Sequence, residues 1–314
     1  MAGYAARLRL PTGNLYQGFF PNEEILLYPM TTDEEKFFSA ASITFRETIN
    51  ILSKSRIKPF PKGFDPMDFT TDDRFFILWN IRLISWGPYW YTYYVCGGRN
   101  CKEGKTLINM RDVKVRYLSD LLETVPDEEG KIHPVDPFTV KLPWTGDEIV
   151  WRLLTGHDEE GVEKTILDLK EKVPDPEKLG DVDAQFRLAR RLVSVNGKML
   201  SPGDKLMYVK ELEGADSLTY RMAVKKFDVG LDIKHSMICA NCGHNNGTRA
   251  FPVTDEFFRP EFVGFVHPTT GEIVGRDDLL EKVVGDRVEK HPGDASVGEE
   301  VLAEKVPKAN RVGQ

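Results

Sequence analysis

The sequence predicts an α+β protein in which antiparallel strands and packed helices share the chain. Three observations lead there. Apolar residues recurring every three or four positions behind capping signals mark several helices. Aromatic-rich or alternating segments bounded by Gly and Pro mark strands. Strands and helices do not alternate in the rhythm of a parallel, doubly wound sheet. The 314 residues suit one large domain or two modest ones, and 41% hydrophobic residues are enough for a packed core.

Residues 8–30 read as extended segments and turns, because Pro11, Gly13, Gly18, Pro21 and Pro29 interrupt them, with a strand at Glu24–Tyr28. Thr32 and Glu35 have capping-box spacing and open a helix over roughly residues 33–54, with Phe37, Ala41, Phe45, Ile49 and Leu52 on its apolar face. After a Pro/Gly-rich link at 59–66, a second helix starts near Thr70-Thr71-Asp72-Asp73 and stops at Gly87-Pro88. Its apolar face is read as Phe75, Trp79, Leu83 and Trp86. Trp90–Val95 is an aromatic strand running into Cys96, and Asn109–Tyr117 reads as another strand.

Farther on, Phe138, Val140 and Leu142 alternate, Trp144–Asp147 turns, and Ile149, Trp151 and Leu153 alternate again, which predicts a hairpin. Helices are expected at about 159–172, 183–194, 203–212 and 216–226, with a Pro/Gly connector at Val173–Asp181. Ile233–Ile238 is a strand feeding Cys239, with Arg249–Val253 as its expected partner. No Phe, Tyr or Trp follows Phe265, so the charged C-terminal end reads as a tail.

All four cysteines fall in two close pairs, Cys96/Cys101 and Cys239/Cys242, about 140 residues apart. Two short-spaced pairs are how a tetrahedral four-thiolate zinc site is built, one zinc per chain. Gly97, Gly98 and Gly243 suit the tight turns this needs, since Gly accepts positive φ. His235 and His244 flank the second pair as possible substitutes for a weak ligand. Two disulfides and buried unpaired thiols are the alternatives. The chain shows no signal-peptide pattern, and an origin in a reducing cytosol disfavours disulfides. A closed four-sulfur shell leaves no position for water and implies structure over catalysis.

The zinc would join the two ends of the chain, giving a zinc-ribbon-like site and two lobes. The expected divisions are an N-terminal helical part with the first pair (1–105) and a hairpin and helix (106–180). A helical part with the second pair (181–262) and a tail (263–314) follow.

No phosphate-binding Gly-rich loop, His-Glu-x-x-His or Gly-x-Ser-x-Gly occurs, so no enzyme class is indicated. His157 reads as a helix-entry residue; the competing reading makes it a base beside an acid. Asp72-Asp73, Glu34-Glu35 and Asp158-Glu159 stand at predicted helix N-termini, where the macrodipole favours negative charge. The aromatics Trp86, Trp90, Tyr91, Tyr93 and Tyr94 read as core plus an assembly surface.

Four segments resemble the baseplate-hub protein family of T-even-like contractile-tailed bacteriophages. Leu10-Pro11-Thr12-Gly13-Asn14-Leu15-Tyr16 is similar to its "LPS-G-x-x-Y" opening, and Pro29-Met30-Thr31-Thr32-Asp33-Glu34-Glu35 to its "P-M-T-x-x-E-E" helix start. The run from Asp73-Arg74-Phe75 through Arg82 and Ser85 to Gly87 is similar to its "D-R-x-x-L-L-x-x-R-x-x-S-x-G" helix. Cys239-Ala240-Asn241-Cys242-Gly243, followed by Glu256-Phe257-Phe258-Arg259-Pro260, is similar to its "C-x-x-C-G … F-F-x-P" ending. The likeness covers about residues 8–260; the wider first cysteine pair and the tail depart from the family pattern.

The resemblance implies a non-enzymatic virion component of the tail baseplate, assembled in the host cytoplasm. It would be present in several copies and contact other hub, wedge or tail-tube proteins. A hub assembly factor that leaves before maturation is the related reading. A zinc-ribbon nucleic-acid-binding protein presenting Arg99, Lys102 and Lys105 is the unrelated one. The net charge of -7 argues against a nucleic-acid partner, and no run of about 18 apolar residues exists to insert in a membrane.

Overall fold

A computed structural model describes residues 5–16, 18–36, 45–122, 124–126, 132–134, 138–173, 182–250, 265–266 and 273–274. It is a mixture of helices and small antiparallel sheets. The chain opens with β1 (Ala6–Arg9) paired antiparallel to β2 (Glu24–Leu27). The short helix α1 (Thr32–Glu35) follows, capped one residue earlier than the sequence suggests. Thr31 and Glu34 form the capping box, because the Glu34 carboxylate also reaches Ser55 and Arg56. Helix α2 (Phe45–Arg56) supplies the second part of the region expected as one helix; Phe37 and Ala41 of that expectation lie outside the described residues.

Helix α3 (Thr71–Trp86) matches its predicted limits: the Thr70 side chain caps it and Gly87, at φ +82, ends it. The predicted single apolar face is corrected. Phe76, Ile77, Leu78, Trp79 and Ile81 are all buried while Phe75 and Leu83 are partly so, because the chain surrounds this helix. Around it gather Leu10, Tyr16 and Phe20 from the N-terminal turns, Ile25 and Leu27 from β2, and Ile49 and Leu52 from α2. Phe64, Phe69, Trp90 and Ile108 complete this first hydrophobic core.

β3 (Tyr89–Val95) pairs along its whole length with β4 (Glu103–Asn109), and a single helical turn, Met110–Asp112, ends β4. The strand predicted at Asn109–Tyr117 is therefore misplaced. After Asn109, which ends β4, only β5 (Val115–Arg116) is a paired strand there, and α4 (Leu118–Leu121) follows. β6 (Thr124–Pro126) pairs with β7 (Ile132–Pro134).

The predicted hairpin is present as β8 (Thr139–Lys141) and β9 (Glu148–Trp151). Helix α5 (Gly156–Lys172) starts earlier than expected behind a Thr155/Asp158 capping box. Most of the connector at 173–181 lies outside the described residues. Helix α6 (Val182–Arg191) ends three residues before the predicted limit. Leu192 begins β10 (Leu192–Val195), which turns through Asn196 and Gly197, both at positive φ, into β11 (Lys198–Met199). The resulting sheet has the order β11-β10-β9-β8. Helices α7 (Pro202–Glu211) and α8 (Gly214–Lys226) pack on it around Trp151, Leu192, Val209, Tyr220 and Phe227, a second hydrophobic core.

β12 (Gly230–Leu231) pairs with β5, and β13 (Lys234–Ile238) with β14 (Asn245–Ala250). The partner strand thus begins four residues before the predicted Arg249, because the turn after Cys239 is tight; residues 251–253 lie outside the described residues, as does Glu256–Pro260. Within the C-terminal region β15 (Phe265–Val266) pairs with β16 (Ile273–Val274). Among the described residues no helix is long and apolar enough to cross a membrane.

Candidate metal centre

Each cysteine pair sits in the loop of an antiparallel hairpin. In the β3–β4 loop the Cys96 N–H donates to the Lys102 carbonyl at 3.1 Å and the Cys101 N–H to the Gly98 carbonyl at 3.2 Å. In the β13–β14 loop the Cys239 N–H donates to the His244 carbonyl at 2.9 Å and the Gly243 N–H to the Cys239 carbonyl at 2.8 Å. These bonds curl each loop so that two sulfurs point the same way.

Three further bonds lash the hairpins together. The Ala240 N–H donates to the Lys105 carbonyl at 2.8 Å, the Thr106 hydroxyl to the Ile238 carbonyl at 2.7 Å, and the Asn241 amide to the Glu103 carbonyl at 3.0 Å. As a result all four sulfurs lie within 4.8 Å of one another. Cys96 Sγ is 3.6 Å from Cys242 Sγ, and Cys101 Sγ is 3.8 Å from Cys239 Sγ.

Those separations speak against the two disulfides and fit a metal site. A disulfide needs about 2.05 Å, and all four thiols are free. Four sulfurs at the corners of a tetrahedron, each about 2.3 Å from a central ion, stand about 3.8 Å apart. The cluster therefore has the dimensions of a metal site. Its charge balance points the same way. Burial pushes the Cys239 thiol up, but N–H groups of Asn241, Cys242 and Lys105 outweigh it and bring it down to about 6. Cys101, crowded first by the Cys242 sulfur, is pushed up to about 12. Four thiolates this close cannot all be charged without a cation among them.

The predicted roles of the glycines divide. Gly243 does sit at φ +71. Gly97 and Gly98 have ordinary φ, and Asn100 takes the left-handed position at φ +64 instead. Gly98 is required for space: a Cβ there would lie 2.9 Å from Cys242 Sγ and 3.4 Å from Cys96 Sγ. His235 and His244 are outside the cluster, although the His244 ring lies over Gly97. Asn246 was not singled out by the sequence. Its amide accepts the Gly97 N–H at 2.8 Å and directs its own N–H toward Cys96 Sγ at 3.6 Å, so it steadies the first loop and meets a sulfur of the cluster. No spacing rule marks an Asn four residues past the last cysteine.

The other candidates have structural occupations. His157 is exposed at the start of α5, 3.5 Å from Asp68 and 3.9 Å from Asp65. Glu34 and Asp158 complete capping boxes, and Asp158 also holds Arg152 through two bonds. Buried Asp73 accepts from the Thr12 N–H, the Thr12 hydroxyl and the Thr70 hydroxyl, tying the N-terminal turn to α3. Of the aromatics, Trp90 is buried, Tyr94 donates or accepts a bond with Thr106, and Tyr93 is exposed. Arg99 and Lys102 lie exposed on the first loop.

Comparison with family models, with curated proteins and with solved structures finds no match for this chain.

Proposed function

We propose that this chain is a zinc-stapled, non-enzymatic structural component of a bacteriophage tail baseplate, at or near the hub, acting through protein–protein interfaces. The observation that carries the structural role is the four-sulfur cluster, contributed by two hairpin loops far apart in sequence. Cys96, Cys101, Cys239 and Cys242 would hold the ion and use every tetrahedral position, so the metal supplies folding free energy and charge neutralisation, not an activated water. Zinc is the ion that this donor set suits best, in a zinc-ribbon-like pair of knuckles. The two hydrophobic cores support a two-lobe arrangement.

The baseplate assignment rests on the resembling segments. Three of them meet in one unit here, which supports reading them as one fold signature. Thr12 of the first bonds to Asp73 of the third. The Met30 N–H of the second donates to Ser85 at 2.8 Å, and Arg82 closes on the Gly87 carbonyl at 2.5 Å.

Two measurements test this. Elemental mass spectrometry should find about one zinc per chain, lost in Cys239→Ser/Cys242→Ser; a well-folded wild type without metal sinks the staple. Antibody detection should find the chain in purified mature tails. Its absence there, with presence in assembling lysates, would replace the virion role by that of an assembly factor.

A further inference from the structure

A second candidate site lies away from the cysteines, where the start of α7 meets α5, α6 and the end of β9. A cavity of about 280 Å³ opens there, walled by Phe186 and Leu206 and by three cationic side chains, Arg152, Arg190 and Lys205. The one carboxylate in the lining is Asp158, and it is already spent. It accepts two bonds from Arg152, at 2.6 and 2.8 Å, and others from the Thr155 backbone and hydroxyl. Among the described residues, neither the Arg190 nor the Lys205 side chain makes a hydrogen bond or a close ion pair, and Lys205 uses only its backbone N–H, on the Ser201 carbonyl. The Arg190 guanidinium lies against α5 at Gly161, where a Cβ would come within 2.8 Å of Nη2.

This arrangement is unusual for a chain of net charge -7, in which carboxylates outnumber cations. Two unpaired positive charges beside a third, in a partly enclosed apolar pocket, repel one another with less screening than on open surface. The consequence is visible at Lys205: burial first, then Arg152 and Arg190, hold its ammonium below the usual lysine range, and the opposing pull of Asp158 does not restore it. An anion in the cavity would relieve all three.

We propose that this cavity is a binding site for a small oxyanion of the phosphate type, gripped by Arg190 and Lys205 with Arg152 behind them. Phe186 and Leu206 leave room for a small apolar substituent on the ligand. The inference is independent of the metal centre and of the baseplate reading.

The probe is inorganic phosphate, titrated calorimetrically into the full chain as purified, at ionic strength fixed with sodium chloride. Saturable binding is expected, weakened about tenfold or more in Arg190→Gln and in Lys205→Gln, since each removes a charge-assisted bond. Thermal unfolding supplies the second readout. In phosphate-free chloride the two variants should melt no lower than wild type, because like-charge crowding is relieved. Phosphate should raise the wild-type midpoint and leave theirs nearly unmoved. The proposal is overturned if wild type shows no saturable phosphate binding, or if both variants bind phosphate as wild type does. Variants that melt lower in both buffers while keeping the phosphate shift would also overturn it, since the cations would then be structural.

Discussion

The cysteine hairpins and the core around α3 hold together by different means. Helix α3 buries nine residues, and polar Asp73 among them is absorbed by Thr12 and Thr70. The β13–β14 hairpin and the cysteine end of β3–β4 bury far less. β14 is exposed along nearly its whole length, and Val95 and Ile238, beside the cysteines, are 83% and 53% exposed. A two-stranded ribbon is marginal in water on its own. What the hairpins lack in buried apolar surface is offset by four converging sulfurs and by four connecting hydrogen bonds, the Gly97–Asn246 bond included, an arrangement in which a metal ion would stand where a core is otherwise needed.

Removing the metal is the strongest way to break that contrast. A zinc chelator should abolish amide-exchange protection in β13, β14 and the Cys96–Cys101 loop while leaving α3 protected. Structural zinc is worth about 10–16 kcal/mol in small four-ligand peptides at neutral pH, so this is the largest effect expected anywhere in the chain. Protection retained in both hairpins after chelation would mean that the Ala240–Lys105, Thr106–Ile238, Asn241–Glu103 and Gly97–Asn246 bonds suffice. The converse substitution is Trp79→Ala. Trp79 is 2% exposed, and truncating a buried Trp typically removes about 3–5 kcal/mol. Urea unfolding should register that loss while zinc stoichiometry in dilute buffer stays at one.

The same contrast governs what could be read from the sequence. The cysteine cluster announces itself through local spacing, and α3 through Thr70 before it and Gly87-Pro88 after it. β4 escaped because Glu103–Asn109 lacks alternation: Thr106, Leu107 and Ile108 are all buried, so both faces of the strand are covered. Gly104, a poor strand former by composition, is there because a Cβ would strike the Tyr94 ring. The helix predicted to run to residue 194 overshot because Leu192 and Val193 continue its apolar period, although Asn196-Gly197 was the hairpin signal to weigh against it. Asn246 and the Arg152–Arg190–Lys205 cavity carry no local pattern at all; residues from separate elements make them, and only the fold brings those together.

A finer test stays within the metal region. Asn246→Ala removes the amide that bridges Gly97 N–H and Cys96 Sγ. Loss of such an outer partner weakens metal binding about 10–100-fold, or about 1.4–2.8 kcal/mol. Competition against a chromophoric chelator would measure it, with one zinc per chain still bound at saturation. An affinity equal to wild type would mean that the backbone bonds of the Cys96–Cys101 loop alone position it.

Acidification should move the two regions in opposite directions. Zinc binding requires thiolates, so the hairpins weaken as pH falls. Asp72, at the start of α3, behaves the other way. Burial raises its carboxyl to about 7 from an ordinary 3.8, against the opposing pull of Arg191 and with help from Asp73 and Asp228. The folded chain therefore keeps this proton while the unfolded chain releases it. The stability linked to Asp72 is fully present below about pH 4, declines as pH rises toward 7, and is level above that. Asp72→Asn mimics the protonated form and should stabilise the protein at pH 8 by about 1–2 kcal/mol, a figure already reduced for the partial exposure of the side chain. The gain should shrink to nothing near pH 4. Measured by urea unfolding on the zinc-loaded chain, a gain independent of pH would assign the effect to packing beside Gly230 and not to titration.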